Sequence, residues 1–485
     1  MTPRAALGAH AGFLVTAVVV LAACRGPQEV RATSRGAPSQ PFPRPNLLLI
    51  TIDALRADHL GTYGYRRRTS PRIDAFARSA AVFEQAYTYW PKTRGSFAMM
   101  LTGRTAARNG YSARHPGIPD FNPTLASVVQ AAGYRTVAAV DNPNVARLHG
   151  YAKGFDSYRE TWEEPGLASE IERTNAITDT GTRALASRTA DRPLFLWLHY
   201  VNPHAPYTPP PPYDTAFRDE KAAAGRRLRA VDGFHGGIRK EWAVQGRDRL
   251  GYYISQYDGE IAAADAEVGR VLDALRKSPA ADRTVVVIAS DHGESLGEHD
   301  YYFDHGEDLF DPCLRIPLVV SVPGGRRGLR VPALATTLDI VPTILDAAKV
   351  SYPPELSGKS LLPALLGGSP PASSRLFAQN DRGLVGAFDA RFKLVATPSA
   401  QGPRLAFYDR SEDPAEMRLA GARRANELRE SRRDMELFTE RTERESAATQ
   451  RLAERAPSSE GAMSREGCEK LKALGYVAGG FDCAQ

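Results

Sequence analysis

The kind of fold this chain can adopt is determined by the stretch TVVVIASDHG, residues 284–293. Its first six residues are mostly β-branched and apolar, which is typical of a strand buried on both faces of a parallel sheet. Asp291 and His292 follow this run, at the end of the strand where open α/β sheets bind their ligands. The stretch therefore predicts a buried strand that presents two ligand-type side chains.

Other apolar runs of the same form lie on either side of it, at residues 46–52, 135–140, 193–198 and 316–322. Asp53 directly follows the first of these runs, and His199 follows the third. Residues 125–132 have the pattern of an amphipathic helix, ended by Gly133. Strands that alternate with helical stretches predict an α/β layered domain with a central, mostly parallel sheet.

Length and charge limit the number of domains and the kinds of partner that we expect. The chain has 485 residues, enough for one large domain with appendages or for two domains. Its net charge is +6, but the basic residues are dispersed and form no block beside aromatic side chains. We therefore do not expect nucleic acid as a partner.

The N-terminus predicts export and a lipid anchor. Arg4 precedes an apolar stretch, residues 11–23, that is too short to span a bilayer. The stretch ends in LAAC, which resembles a bacterial lipobox, so residues 1–23 are expected to be a signal peptide and Cys24 the lipidated first residue. Residues 24–45 have the composition of a disordered tether. This interpretation places the protein outside the cytoplasm, at the bacterial cell envelope; a plain secretory signal is the alternative.

The C-terminal third changes character. We expect a catalytic domain over residues 46–372, a small subdomain with short strands over residues 373–420, and a charged, mostly helical tail over residues 421–485. Cys468 and Cys483 are able to pair across a short loop outside the cytoplasm, which leaves Cys313 without a disulfide partner.

Asp53, Asp291 and His292 are candidate ligands of a divalent metal ion. Hard and borderline metals prefer carboxylate and imidazole ligands on rigid supports, and the predicted strand ends are such supports. The alternative is that the aspartate caps a helix and the histidine lies on the surface. The sequence favours the metal site because further motifs follow in a consistent order.

Those motifs resemble the sulfatase family of the alkaline phosphatase superfamily, from about residue 46 to residue 420. In chain order they are DALRADHLGTYGY at residues 53–65, PKTRGSF at 91–97 with LTGR at 101–104, HYVNPHAPY at 199–207, DHG at 304–306 before RIPL at 315–318, LDIVPTIL at 338–345, and FYD at 407–409. The resemblance implies a three-layer α/β domain like that of alkaline phosphatase, with a small C-terminal α+β subdomain, acting on a sulfate or phosphate ester.

The resemblance also assigns roles. Asp53, Asp291 and His292 would hold one divalent ion, with calcium expected and magnesium, manganese or zinc as alternatives. His204 would contact the scissile ester or protonate the leaving group, and His305 would hold the anionic group. For His199 a structural role and a functional role are equally well supported, and Lys92 and Asp304 are regarded only as neighbours of the site.

The chain departs from the family at the nucleophile. Sulfatases have there a Cys or Ser that is oxidised to formylglycine, and the corresponding residue in this sequence is Thr93. Oxidation of a threonine β-carbon gives a ketone and not an aldehyde, so no formylglycine is expected. Thr93 can still attack if a metal ion and a base lower the cost of its alkoxide. Ser96, three residues further on, is an alternative nucleophile.

Four other positions depart from the family pattern: Ala54, Gly95, Phe97 and Asn109. Ala54, Phe97 and Asn109 support an alternative in which the chain is a catalytically inactive, sulfatase-like binding protein. The intact metal and histidine motifs argue against it. The leading hypothesis is a hydrolase of sulfate or phosphate esters with a threonine nucleophile, and an envelope phosphotransferase or phosphodiesterase is a further alternative. The sequence does not indicate an oligomeric state.

Overall fold

The strands expected from the sequence lie in one large sheet. The computed structural model describes residues 44–112, 114–188, 192–219, 225–352, 355–371, 375–453, 463–476 and 483, and residues 43–485 form one compact unit. Its strands are β1 (Asn46–Ile52), β2 (Ala81–Tyr87), β3 (Arg135–Val140), β4 (Ser157–Glu160), β5 (Leu194–Tyr200), β6 (Arg229–Val231), β7 (Gly237–Arg239), β8 (Thr284–Ser290), β9 (Ser295–Leu296), β10 (Tyr302–Asp304), β11 (Arg315–Ile316), β12 (Leu318–Ser321), β13 (Leu329–Thr336), β14 (Leu376–Gln379), β15 (Val385–Phe388), β16 (Phe392–Thr397) and β17 (Arg404–Asp409).

Helices connect these strands and cover the sheet. They are α1 (Pro71–Ala77), α2 (Thr93–Thr102), α3 (Ala106–Asn109), α4 (Leu125–Ala131), α5 (Glu170–Ala186), α6 (Tyr213–Ala216), α7 (Leu250–Lys277), α8 (Asp311–Leu314), α9 (Ile340–Ala347), α10 (Leu362–Leu365), α11 (Ala425–Ala453) and α12 (Arg465–Ala473). The predicted signal peptide and nearly all of the predicted tether lie outside the described residues. Within the part that is described, no helix is both long and apolar enough to cross a membrane.

The large sheet has the strand order β11-β2-β12-β8-β1-β5-β3-β4, with β13 also paired to β2. Its centre is parallel, since β1 pairs in parallel with both β5 and β8, and β3 pairs in parallel with β5 and β4. Strand β12 is antiparallel to both of its neighbours. The prediction of a central, mostly parallel sheet is confirmed.

Both faces of the sheet are buried, which gives three layers. Along β1, Leu47 and Leu49 belong to one hydrophobic cluster, whereas Leu48 and Ile50 belong to the other. Helices α2, α4 and α9 contribute to the first cluster, and α1, α5 and α7 contribute to the second. The alternation follows from the two-residue period of a strand, and it explains why β1 has no polar face in the sequence.

The single strand expected over residues 316–322 is wrong in detail. Pro317 separates β11 from β12. Proline has no backbone N–H to donate to a neighbouring strand, so the pairing stops there and resumes one residue later. Both pieces run antiparallel to β2, at the edge of the parallel core.

The C-terminal region contains the expected small α+β subdomain. Strands β14 to β17 form an antiparallel sheet in chain order. Helix α11 packs on it through Phe438, whose ring stacks on Phe377 at a centroid distance of 4.2 Å. The predicted pairing of Cys468 with Cys483 is confirmed, and Cys313 is buried and has no disulfide partner. The disulfide connects α12 to the last described residue.

Candidate active site

Two neighbouring strands, β1 and β8, bring the candidate metal ligands together. Asp53 follows β1, and its backbone N–H donates to the carbonyl of Tyr200 at the end of β5. Ile52 is in register with Ser290 of β8, so Asp291 follows at the same level of the sheet. Because the strands are parallel, their carboxyl ends meet at one edge. Asp53, Asp291 and His292 are each completely buried there.

The ligand atoms of these three residues lie within 4.8 Å of one another. His292 Nε2 is 3.2 Å from Asp291 Oδ2 and 3.6 Å from Asp53 Oδ1. His292 Nδ1 is 2.9 Å from the carbonyl of Gly293, which can only accept, so Nδ1 has the hydrogen and the lone pair of Nε2 points into the group. The structure thus brings the predicted metal ligands together in an orientation that suits a divalent ion.

The charges in this group also fit a cation. Burial and the adjacent Asp53 carboxylate raise the pKa of Asp291 well above its ordinary value. Burial also raises the pKa of Asp53, but a hydrogen bond with His199 and the nearby His204 and His292 outweigh it and lower the pKa to about 2. Asp291 Oδ2 is buried and has no hydrogen-bond geometry with any described partner. A divalent ion would neutralise both carboxylates and satisfy this oxygen.

Thr93 lies beside the metal group as the first residue of α2. Its Oγ1 is 3.0 Å from His292 Nε2 and 3.5 Å from Asp53 Oδ1. The first turn of a helix has unpaired N–H groups and a partial positive charge, so anions are stabilised there. The alternative nucleophile, Ser96, instead donates to the carbonyl of Asp291 at 2.7 Å and contacts Thr88 at 3.1 Å. Its hydroxyl therefore supports the backbone at Asp291, one of the candidate metal ligands.

His204 and His305 face the same point as Thr93. His204 Nε2 and His305 Nε2 each lie 3.0 Å from the hydroxyl oxygen of Tyr476, and Thr93 Oγ1 lies 2.8 Å from it. Burial lowers the pKa of both histidines. His204 Nδ1 is 2.6 Å from the carbonyl of Ala205, to which it donates, so in the neutral ring Nε2 presents a lone pair to this point.

His305 is held in place by Glu294, a residue of the metal motif to which the sequence assigned no role. Glu294 Oε1 is 2.9 Å from His305 Nδ1, and Oε2 accepts from the backbone N–H of Ala205 at 3.2 Å. Burial raises the pKa of Glu294 well above its ordinary value. One carboxyl group therefore positions both the histidine and the loop that contains His204.

The neighbours to which the sequence gave no definite role also lie at the site. His199 Nε2 is 3.4 Å from Asp53 Oδ2, and its Nδ1 is 3.1 Å from Thr51 Oγ1. The ring therefore contacts both β1 and the candidate metal ligand that follows it. Asp304 accepts from the hydroxyl of Tyr301 at 2.8 Å, and burial raises its pKa to about 7. The ammonium of Lys92 lies 5.9 Å from the ring centre of Tyr476.

The departures from the family pattern have local explanations. Ala54 has a positive φ of 54°, and its N–H points to Asp291 Oδ1 at 3.3 Å. Phe97 packs its ring against His199 at 4.6 Å and closes the apolar side of the site. Asn109 is buried and accepts from the backbone N–H of Tyr111 at 2.9 Å. These side chains support the local structure but supply no ligand.

Two contacts at the site had no clear signal in the sequence. Asn142 donates to Asp53 Oδ2 at 2.6 Å, and its only hint was its place just after the strand at residues 135–140. Tyr476 lies in the predicted charged, mostly helical tail, to which the sequence assigned no role in the site. Neither residue belongs to a motif that resembles the family.

Solved structures with the same fold indicate the class of protein to which this chain belongs. A phosphonate monoester hydrolase of Agrobacterium radiobacter superposes with a TM-score of 0.68 at 22% identity, over 82% of this chain and 96% of that one. A structure solved with its substrate D-glucosamine-2-N,6-O-disulfate has the same TM-score at 22% identity, over 84% of this chain and 98% of the other. The protein has the fold of the alkaline-phosphatase-like ester hydrolases.

Sequence comparison identifies the family within this class. The family model described as "Sulfatase" matches residues 45–350, and the model described as "N-sulphoglucosamine sulphohydrolase, C-terminal" matches residues 297–438. An arylsulfatase of Clostridium perfringens is 26% identical over 388 residues, which are 66% of this chain and 78% of that protein. The chain belongs to the sulfatase family and is a sulfuric ester hydrolase by class.

Proposed function

We propose that this protein is an extracytoplasmic, metal-dependent hydrolase of sulfate or phosphate esters in which Thr93 is the nucleophile. The observation that supports this most directly is the convergence of three side chains on one point. Thr93 Oγ1, His204 Nε2 and His305 Nε2 all lie within 3.0 Å of the position of the Tyr476 hydroxyl oxygen. An oxygen of a transferred sulfuryl or phosphoryl group at this point would contact a nucleophile and two imidazoles.

Asp53, Asp291 and His292 would hold the metal ion. Calcium is the ion we expect, with magnesium, manganese or zinc as alternatives, because two carboxylates and one imidazole suit all of them. The ion would supply positive charge beside Thr93 and the transferred group, which lowers the cost of the attacking alkoxide and of the developing oxyanion.

The residues of the chain supply the remaining steps. Thr93 Oγ1 forms a bond to sulfur or phosphorus while the ester bond to the alcohol breaks. The proton that Thr93 releases passes to solvent, and His204 Nε2 gives a proton to the alcohol oxygen as it leaves. His305, held by Glu294, binds an oxygen of the transferred group. Water then attacks the threonine ester and regenerates the hydroxyl.

Thr93 makes a phosphate, phosphonate or group-transfer reaction as plausible chemically as sulfate ester hydrolysis. A formylglycine hydrate can expel its bound group by reforming the aldehyde, whereas a threonine ester has no second hydroxyl on its β-carbon and must be broken at sulfur or phosphorus. Phosphoryl esters of hydroxyl side chains are broken in this way by positioned water. An envelope phosphotransferase or phosphodiesterase is therefore the second candidate, and a phosphonate monoester hydrolase is among the structural neighbours.

The test uses the purified full chain, loaded separately with calcium, magnesium, manganese and zinc. Each form is assayed on 4-nitrophenyl sulfate, 4-nitrophenyl phosphate and bis(4-nitrophenyl) phosphate. Thr93→Val, which keeps the shape but removes the hydroxyl, should lower kcat by about 10³-fold or more, whereas Thr93→Ser should retain activity. Activity that survives in Thr93→Val excludes Thr93 as the nucleophile. If no metal form turns over any of these esters, an inactive binding protein becomes the better explanation.

The location is proposed from the sequence of residues 1–24. We expect lipidation at Cys24 and retention at the membrane of the bacterial cell envelope. The measurement is labelling of the expressed chain with radioactive palmitate, followed by separation of membrane and soluble fractions. Cys24→Ser should lose the label and move to the soluble fraction. A label that persists in Cys24→Ser would disprove the anchor.

A further inference from the structure

The point where Thr93, His204 and His305 converge is occupied by the chain itself. The hydroxyl of Tyr476 makes hydrogen-bonding contacts of 2.8, 3.0 and 3.0 Å with these three side chains. Residues 463–476, called the C-terminal segment below, consist of α12 and the turn that follows it. Tyr476 is 383 positions away from Thr93 along the chain. This contact therefore depends on the docking of the segment.

The segment is docked by specific polar contacts as well as by packing. Lys470 Nζ lies 3.2 Å from the buried carboxylate of Asp141 and 3.8 Å from Glu170. Arg239 Nη1 donates to the carbonyl of Gly475, next to Tyr476, at 3.2 Å. Gly475 has a positive φ of 82°, and a Cβ there would lie 2.6 Å from Arg239 Nη1. The turn that delivers Tyr476 is thus fitted closely to its neighbours.

The disulfide closes a loop that contains the end of the C-terminal segment. Cys468 lies in α12 and Cys483 lies 15 residues further on, so the closed loop contains Tyr476. A closed loop has fewer conformations than an open tail, which favours the docked position of the tyrosine. The bond is expected to persist outside the cytoplasm.

Tyr476 and a substrate compete for the same partners. An oxygen of a transferred group must lie about 3 Å from the nucleophile and from the imidazoles that hold it, and the phenolic oxygen already has these distances. Two oxygens cannot occupy one position. The phenol is the weaker ligand of the two because it is neutral, whereas an oxyanion makes charge-assisted hydrogen bonds and interacts with the metal.

We propose that the C-terminal segment is an intramolecular inhibitor, whose Tyr476 occupies the oxyanion position and must withdraw before a sulfate or phosphate ester binds. This inference rests on the proposed function, because it concerns the regulation of the same site. The observed affinity for an oxyanion is then the intrinsic affinity multiplied by the fraction of molecules with the segment withdrawn. Any change that weakens docking raises that fraction.

The experiment measures binding of orthovanadate to the calcium-loaded full chain by isothermal titration calorimetry. Two variants weaken docking in different ways. Tyr476→Phe removes the hydroxyl but keeps the ring, and Lys470→Ala removes the ion pairs with Asp141 and Glu170. The matched control is Glu469→Ala, an exposed position on the same helix. Circular dichroism and thermal unfolding establish that each variant is folded.

We expect the Kd for vanadate to fall about tenfold or more in Tyr476→Phe, since three contacts of the competing hydroxyl are lost. It should fall by a smaller factor in Lys470→Ala and stay unchanged in Glu469→Ala. If Tyr476→Phe leaves the Kd unchanged, the segment does not compete. If it weakens vanadate binding, Tyr476 is a substrate ligand. Either result overturns the proposal, and if Tyr476→Phe does not fold, Lys470→Ala decides alone.

This outcome is separable from that of the proposed function. Vanadate binding requires no turnover, so tighter binding in Tyr476→Phe supports the inhibitor even if no ester is hydrolysed. Conversely, a wild-type chain that hydrolyses esters, with an unchanged vanadate Kd in Tyr476→Phe, retains the proposed function and loses the inhibitor.

Discussion

Thr93 has a methyl group on the carbon that a sulfatase oxidises, and this single substituent changes which chemistry the site can perform. Its hydroxyl is nevertheless held where a nucleophile is needed, 3.0 Å from His292 and at the start of α2. Ser96 is engaged in two other hydrogen bonds. This arrangement is why we propose Thr93 rather than Ser96 as the nucleophile, with the candidate metal ligands Asp53 and His292 beside it.

Asp291 provides a direct test of that partner. Asp291→Asn keeps the shape of the side chain and the contact with the N–H of Ala54, but it removes one of the two buried negative charges. We expect metal affinity to fall by more than about tenfold. The measurement is calcium content of the dialysed protein by elemental analysis, with Asp339→Asn as a control because Asp339 is buried but outside the group. Wild-type calcium content in Asp291→Asn would contradict the assignment.

At the scale of elements, α2 positions Thr93 because its first turn packs closely on the preceding loop. Gly95 lies on this turn, and a Cβ at that position would be 2.4 Å from Trp90 Cδ1. Trp90 is only 7% exposed, so its ring has little room to move. The glycine that departs from the family pattern is therefore required by the packing of this helix.

Gly95→Ala should consequently destabilise the protein. Alanine gains at most about 1 kcal/mol in helix propensity, whereas forcing a side chain into a filled space costs about 1–3 kcal/mol. We expect a net loss of stability and reduced activity, measured by urea unfolding and by the ester assay. Gly233→Ala is the control, because its added Cβ would meet no atom within 4 Å. Equal stability of the two variants would show that Trp90 moves freely.

At the scale of the whole molecule, a buried ion cluster connects the C-terminal subdomain to the catalytic domain. Lys393 of β16 is fully buried, and its Nζ lies 2.5 Å from Asp311 and 2.7 Å from Glu416. Asp311 begins α8, in the catalytic domain, and also pairs with Arg410 at 3.0 Å. Glu416 and Arg410 are also buried, whereas 21% of the Asp311 side chain is exposed. The two parts are therefore joined by charges that are largely shielded from water.

Lys393→Ala should cost about 3 kcal/mol in the free energy of unfolding, because it leaves the buried Glu416 carboxylate without its cation and Asp311 with Arg410 alone. The matched control is Arg432→Ala, which removes an exposed ion pair with Glu436 and should change stability by about 0.5 kcal/mol or less. Urea unfolding measures both. A loss in Lys393→Ala no larger than that of the control would mean that the cluster does not hold the subdomain.

The same cluster makes the protein sensitive to acid. Burial raises the pKa of Asp311, but Lys393 and Arg410 outweigh it and lower the pKa to about 2, from an unfolded value of 3.8. The native state therefore binds this proton less readily than the unfolded state. Its stabilising contribution is complete above about pH 4 and is lost as the pH falls towards 2. Unfolding midpoints in urea should decline less steeply between pH 4 and 2 in Asp311→Asn than in the wild type.

Much of the fold could be predicted from the sequence because its signals are local. The apolar runs that became β1, β3, β5 and β8 could be recognised without their neighbours, and parallel pairing then places their ends at one edge. For the same reason the grouping of Asp53, Asp291 and His292 was predictable. The resemblance to the sulfatase family supplied Thr93, His204 and His305. Thr93 lies at the start of α2, and the two histidines lie in loops whose conformation has no simple local signal.

Only the tertiary structure decided what fills the site. Glu294 became a positioning residue through a contact with His305, which is 11 residues away. Tyr476 reaches Thr93 across 383 positions, from the turn that follows α12 in the predicted charged tail. Such contacts depend on how distant surfaces dock, and docking energy is spread over many weak interactions that leave no pattern along the chain. The sequence by itself determined the sheet and the candidate metal ligands at its edge, and the tertiary structure determined that the chain's own tyrosine lies against Thr93 beside them.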